Sequence, residues 1–354
     1  MTLYIGVDFH PHQQTAVWCD TETGETETVQ LFHKNPDEVR KFYASFGEAA
    51  VVGMEASSKA LWFERLLESL GQELRIGDPY QIRKMAVSRH KNDSIDANHI
   101  LSLLLDGRFP AIWRRSPEQN EILDMLRFRV KIVGQRTAAY NRLQSIAHSC
   151  GLPKGKMSTL VFQEALKASD LTEGERFQME HLFELLGSQN ERIDAIGKWL
   201  DEKAGRDPKV QLLMTQFGVG TFTALAVVNT LGDVTRFDRV PAQVTNFIGY
   251  DSREGSSGAR TRYGAITKAG PPLVRYLVGQ AAMVAVRKDP GLKAFHKRLS
   301  KRKHPAVAKT ATARKLLVKL SIMLRDNISA QEFDRRGSAV GDARRSAGPE
   351  MADA

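Results

Sequence analysis

Hydrophobic residues follow two rhythms along this chain, and the change falls near residue 110. Before it, apolar runs are short and punctuated by turn residues. Leu3 to Phe9 is too short for a helix and closes on Asp8-Phe9, so it reads as a buried strand with an acid at its end. Gln14 to Cys19 and Thr26 to Phe32 follow as strands around the turn-forming Thr21-Glu22-Thr23-Gly24, which predicts a meander. Pro36 to Phe46 reads as a helix, and Ala49 to Glu55 as a second buried strand that again ends in an acid. Lys59 to Leu70 reads as a helix, Glu73 to Gly77 as a short strand, and Pro79 to Val87 and Ala97 to Asp106 as helices. A meander followed by alternating helices and strands predicts an α/β or α+β sheet domain over residues 1–110.

Past Pro110 and Pro117 the period lengthens. Leu123, Leu126, Val130, Val133, Thr137 and Tyr140 recur at alternating spacings of three and four, the seam of helices that pack as a coiled coil. A second set, Leu182, Leu186, Ile193, Ile196 and Leu200, resumes after the polar stretch from Gly151 to Gly174. Residues 111–205 therefore read as a helical spacer, an antiparallel hairpin that serves as intramolecular core or as a contact to other molecules. Over 206–330 the pattern predicts a small helical domain, with helices at Leu273 to Arg287 and Val307 to Arg325. Residues 331–354 have few large apolar side chains and read as a disordered tail. The expected fold class is thus α/β plus all-α.

Composition narrows the setting. The 354 residues allow two or three domains, and 42% hydrophobic with 26% charged residues is ordinary for a globular protein. The sequence shows no signal peptide and no apolar run long enough for a bilayer, so a cytoplasmic protein with no membrane partner is expected. Two cysteines, Cys19 and Cys150, have no metal-ligand spacing. The 51 Lys and Arg against 41 Asp and Glu give a net charge of +10, which favours a polyanion such as nucleic acid. The excess concentrates between Arg253 and Arg325, including Lys301, Arg302 and Lys303, as either a solvated face or a phosphate-binding one. Lys309, Arg314, Lys315 and Lys319 add cations on the last helix.

The candidate chemistry is carried by acids. Asp93 and Asp96 are three residues apart at the start of a helix and project from one face. Acids in a first helical turn also simply complement the dipole. Asp8 and Glu55, however, stand where buried strands end, which is where open α/β sheets hold ligands. Four carboxylates converging on one crevice need counter-ions or raised pKa values. Oxygen-only ligands select hard cations, Mg²⁺ first, and two such ions about 4 Å apart polarise a phosphodiester.

The order Asp8, Glu55, Asp93, Asp96, within Gly6-Val7-Asp8, Gly53-Met54-Glu55-Ala56-Ser57 and Lys91-x-Asp93-x-x-Asp96-Ala97, resembles the RuvC-like (RNase H-like) DEDD domain of one family of insertion-sequence transposases, which includes the Piv-type DNA invertases. Asn92 stands where that pattern has Thr. Two further motifs fit the family's C-terminal transposase domain. Gly218-Val219-Gly220 is a tight turn between helices, either an ordinary glycine turn or a helix-hairpin-helix-like grip on a DNA phosphate. Gly255-Ser256-Ser257-Gly258, then Lys268-Ala269-Gly270 and Arg275, reads on composition as a flexible turn, yet a serine beside Lys268 and Arg275 has the cations that phosphodiester attack needs. The resemblance implies that the serine before glycine is the covalent nucleophile, Ser257, with Ser256 as competitor because the doublet leaves the alignment open by one position. It further implies one or two Mg²⁺ ions, donor and target DNA, a structured guide (bridge) RNA, and a homodimer or tetramer. Two other classes fit the same residues: a Mg²⁺-dependent nuclease of branched DNA without a covalent serine step, and a non-catalytic nucleic-acid-binding protein.

Overall fold

The computed structural model describes residues 3–47, 50–57, 59–86, 93–254 and 263–337, the side chains of Asp93 and Tyr263 excepted. It divides into two compact units, Met1–Arg114 and Arg115–Ala354. The segments expected as a spacer and as a C-terminal domain both fall in the second. Among the described residues no helix is long and apolar enough to cross a membrane.

The first unit is built on a five-stranded mixed sheet. Strands β1 (Leu3–Phe9), β2 (Gln13–Asp20) and β3 (Thr26–Phe32) form the antiparallel meander, and β4 (Ala50–Glu55) and β5 (Glu73–Gly77) extend it in parallel on the other side of β1, giving the order β3-β2-β1-β4-β5. Parallel neighbours require crossovers, and helices α1 (Pro36–Ala44) and α2 (Leu61–Ser69) supply them. Helix α3 (Pro79–Met85) follows β5, and α4 (Asp93–Leu105) completes the unit.

Side-chain alternation sorts the two faces of the sheet. Leu3, Ile5 and Val7 of β1, with Val52 and Met54 of β4, pack against Val39 and Tyr43 of α1 and Phe63 and Leu67 of α2. The intervening residues face α4. Its Ala97 and Leu101 cluster with Val17, Cys19 and Tyr4, and its Ile100, Leu103 and Leu104 with Ile82, Met85 and Phe109. Gly6 explains how close α4 comes: a Cβ there would lie 2.4 Å from the Ala97 carbonyl oxygen and 2.5 Å from the Leu101 nitrogen. Only a residue without a side chain fits that crossing.

In the second unit two long helices, α5 (Pro117–Ser149) and α7 (Glu173–Arg206), run antiparallel on either side of the short α6 (Leu160–Lys167). Each long helix begins with a capping box, Ser116 with Gln119 and Thr172 with Glu175, which satisfies the first amides. Arg142 bonds Gln178 and Arg136 bonds Asn190 across the pair. The buried seam departs from the expected one. Leu123 and Leu126 are buried, but farther on Ile132, Ala139, Leu143 and Ile146 face inward while Thr137 is exposed. A straight helix drifts against a strict seven-residue repeat, and the inward positions drift with it.

The remaining helices are α8 (Pro208–Met214), α9 (Thr221–Leu231), α10 (Val240–Ile248), α11 (Pro272–Ala285), α12 (Pro290–Ser300) and α13 (Pro305–Asp326), with a two-stranded ribbon of β6 (Ser252–Glu254) and β7 (Tyr263–Ile266). Helix α9 is apolar nearly all round and buried from Thr223 to Leu231, as a central helix must be. Its core also takes in Ile122, Leu123 and Leu126 of α5 and Ile196 and Leu200 of α7, so the base of the long pair shares one interior with the C-terminal helices. Residues 331–337, expected as the start of a disordered tail, are instead helical, and Phe333 packs on that core.

Candidate functional site

Asp8 and Glu55 reach the same edge of the sheet for a reason of register. Strands β1 and β4 are parallel, and the last pair aligned between them is Val7 with Met54, so the next residue on each is an acid. Alternation puts both on the face that carries Gly6 and Gly53, which is the α4 face. Helix α4 crosses Gly6 at Ala97 and reaches Gly53 at Leu104. Asp93 opens that helix one turn before Ala97, about 6 Å back along its axis. Asp8 lies two residues past Gly6, about 7 Å along the strand. Gly6 and Gly53 are an aligned pair, so α4 passes over β1 and β4 at that level, and Asp93 precedes the crossing by one turn. Asp96 is exposed on the same turn.

Both strand-end carboxylates already have positively chargeable neighbours. Asp8 Oδ2 is 3.0 Å from His10 Nε2, and Arg83 Nη2 donates to Glu55 Oε1 at 3.1 Å. Neither partner was expected from the sequence. The candidate ligand atoms are all carboxylate oxygens, which suits a hard divalent cation. Among the described residues no three of His, Cys, Asp and Glu stand close enough to share an ion, so the expected closure of four carboxylates is not seen there. The Asp93 side chain lies outside the described residues.

In the second unit the expected site residues take several roles. Ser256 and Ser257 lie outside the described residues, between β6 and β7. Lys268 is exposed and held at φ 57°, its amide donating to the Gly249 carbonyl at 3.1 Å. Gly270 explains the Lys-x-Gly spacing, since a Cβ there would lie 2.1 Å from the Phe247 carbonyl oxygen. Arg275 is half-buried, and its Nη1 donates to the carbonyls of Ile248 and Gly270, while the Tyr250 hydroxyl donates to the Arg275 carbonyl at 3.0 Å. Its guanidinium thus braces the chain leaving Lys268.

Gly218 and Gly220 differ. Gly218 has φ 89°, and a Cβ there would lie 2.6 Å from the Ala285 nitrogen, so this glycine is demanded by packing against α11. Gly220 caps α9 with open space around its Cβ position and no side-chain cap for the first amides. Just beyond it, the Arg129 guanidinium lies 3.9 Å over the Phe222 ring, its pKa held below the ordinary value by burial and by the charge of Arg136.

Lys301, Arg302 and Lys303 are exposed in the turn between α12 and α13. Arg314 bonds Asp251 Oδ1 at 3.0 Å and stays exposed, so it remains open to phosphate. Lys319 is not available as expected: it is buried, with Nζ 3.1 Å from Asp289 Oδ2 and 2.7 Å from Asp334 Oδ1. The reason is position on the helix: residue 319 falls on the face that α13 turns to the core.

Two family models match this chain. A DEDD transposase model of the IS110 type matches residues 5–150, and a model described as transposase, IS116/IS110/IS902 family, matches residues 210–297. Among similar proteins, a probable family 20 transposase of Pseudomonas aeruginosa is 27% identical over 288 residues, 80% of each chain. The transposase for insertion sequence element IS1111A of Coxiella burnetii is 27% identical over 67% of this chain and 66% of its own length. The transposase for IS1328 of Yersinia enterocolitica is 25% identical over 80% of this chain and 84% of its own. The acidic sheet edge lies within the first matched segment and the glycine turn, Lys268 and Arg275 within the second, and the chain belongs to the IS110/IS116 family of insertion-element transposases.

Proposed function

We propose that this transposase exchanges DNA strands through a covalent serine intermediate prepared by an acidic, cation-binding sheet edge. The observation that carries the reading is the register of β1 and β4, which ends both strands in a carboxylate on the face crossed by α4. Asp8 and Glu55, with Asp93 and Asp96, would hold one or two Mg²⁺ ions. When bound, such ions supply positive charge to the oxygens of a phosphodiester. Asp8 and Glu55 orient the scissile phosphate, and His10 and Arg83 keep the two carboxylates in place before DNA arrives.

Ser257, or its neighbour Ser256, is the nucleophile of this reading. Its hydroxyl oxygen bonds to phosphorus as a deoxyribose oxygen leaves, and the hydroxyl proton passes through solvent to the leaving oxygen. Lys268 offers charge to the developing phosphorane. One phosphodiester replaces another, so no nucleotide triphosphate is required. Strand joining at two duplexes calls for more than one copy of the chain, a dimer or tetramer. Sequence choice is assigned to a structured RNA that pairs with donor and target DNA, and the net charge of +10 supports binding of both nucleic acids. The helical pair of α5 and α7 is the spacer of this scheme.

Incubation of the full chain with end-labelled element-end DNA and Mg²⁺, followed by SDS, tests the chemistry. An SDS-resistant protein–DNA adduct that is lost in Ser257→Ala and kept in Ser256→Ala is the expected result. Cleavage that persists in both variants without any adduct would instead establish a water-using nuclease.

A further inference from the structure

A cavity of about 370 Å³ opens in the second unit between the β6–β7 ribbon and the first turns of α13. Its walls are small or apolar, formed by Ile266, Ala306, Ala311 and the ring of Tyr250. Tyr250 is buried and its hydroxyl is committed to the Arg275 carbonyl, so the ring is a fixed wall; burial pushes its pKa up to about 12 and keeps it neutral. The rim carries two cations, Lys268 and Arg314. The Lys268 backbone and the Arg314 side chain are held in place. The Lys268 backbone is locked in the left-handed region by the close approach of Gly249 to Ala269 and Gly270, a conformation that persists at a non-glycine residue only where its surroundings fix it. Arg314 is anchored by Asp251, which also accepts from Thr245 at 2.8 Å.

An apolar recess with cations at its mouth has the chemistry of a nucleotide site, taking a flat base inside and phosphates outside. A paired duplex backbone would use the cations and leave the recess empty. Strand exchange also has to separate paired bases, and enzymes that work on duplex DNA commonly hold an extruded base in a pocket of its own. We propose that this cavity receives one unpaired base of the DNA strand being exchanged, with its flanking phosphates on Lys268 and Arg314. The proposal rests on the strand-exchange reading, because the strands lining the cavity flank the segment that carries Ser256 and Ser257.

The test is fluorescence anisotropy of the full chain with two fluorescein-labelled duplexes of equal length, one fully paired and one carrying a short unpaired patch. Wild type is expected to prefer the unpaired patch by roughly tenfold, the scale of one base held by stacking and apolar contact. Ala311→Trp fills the recess and should abolish the preference while leaving affinity for the paired duplex unchanged. Val307→Trp, at an exposed position on the rim, gives the same expectation without disturbing the core. No preference in wild type, or a preference retained in Val307→Trp, overturns the proposal. Failure here is separable from failure of the serine reading: an adduct that still depends on Ser257 beside no base preference removes only the recess. A base preference beside an adduct indifferent to Ser257→Ala removes only the serine.

Discussion

The acidic sheet edge and the basic C-terminal helices make opposite use of their charged residues. In the first unit, two carboxylates stand at the ends of adjacent parallel strands, each with a local partner, His10 for Asp8 and Arg83 for Glu55. In the second, two cations that look like DNA ligands hold the fold together: Arg275 braces two carbonyls, and Lys319 lies buried between Asp289 and Asp334. A strand end leaves its side chain beyond the last core layer, whereas a helix in a bundle turns part of every basic stretch inward. Charge at the first kind of position is therefore a functional signal, and charge at the second is divided between function and architecture.

The largest effect that would break this contrast is at Asp8. Asp8→Asn should lower DNA strand cleavage by about a thousandfold or more with an unchanged melting temperature, since only the chemistry is removed. A protein that cleaves normally after this change would place the site elsewhere. The opposite outcome is expected at Lys319. Lys319→Ala strands the buried Asp289 carboxylate and should cost about 3–5 kcal/mol, read as a fall in melting temperature on the order of 10 °C. Burial alone would raise the Asp289 pKa, but the Leu292 amide, Lys319 and Gln216 more than offset it and hold it below the usual range. A depressed folded pKa gives stability above the unfolded carboxylate value that is lost as pH falls, so wild type should weaken on acidification below about pH 4. Asp289→Asn should flatten that dependence.

Two glycines sharpen the same distinction at lower cost. Gly218→Ala meets the α11 backbone in a left-handed conformation and should destabilise by about 2 kcal/mol or more, whereas Gly220→Ala, in open space, should cost under about 1 kcal/mol. Chemical denaturation checks both, and equal losses would mean that the turn is architectural throughout. Arg275→Ala leaves two carbonyls without a donor and should cost about 1–3 kcal/mol, with a smaller change in DNA affinity than Lys268→Ala. An affinity loss at Arg275 with no loss of stability would move it from brace to ligand.

Much of the first unit was legible because a strand's two-residue period is simple. Leu3–Phe9, Thr26–Phe32 and Glu73–Gly77 have the expected limits, and the acids fall on a common face because each sits two residues beyond a glycine that α4 touches. The carboxylates' partners were harder to read, since Arg83 meets Glu55 only through the turn of α3 off the end of β5. In the second unit, α6 was hidden in a stretch read as polar, and α12 in a run read as basic charge. The inward role of Lys319 depends on three elements distant in sequence, Gln216, Asp289 and Asp334, so no local pattern announces it. The recess beside the ribbon is likewise made of small side chains whose meaning lies in the space they leave.

The contact at Gly6 reaches beyond the fold. Because the helix that begins with Asp93 rests directly on a main chain stripped of its side chain, its distance from the sheet is gauged by a missing methyl group. A single alanine at position 6 would lift that helix by roughly the width of the added carbon. If the proposed acidic site is right, the transposase is then disarmed with all four carboxylates intact, and a defective copy of the element would betray itself at a residue that performs no chemistry.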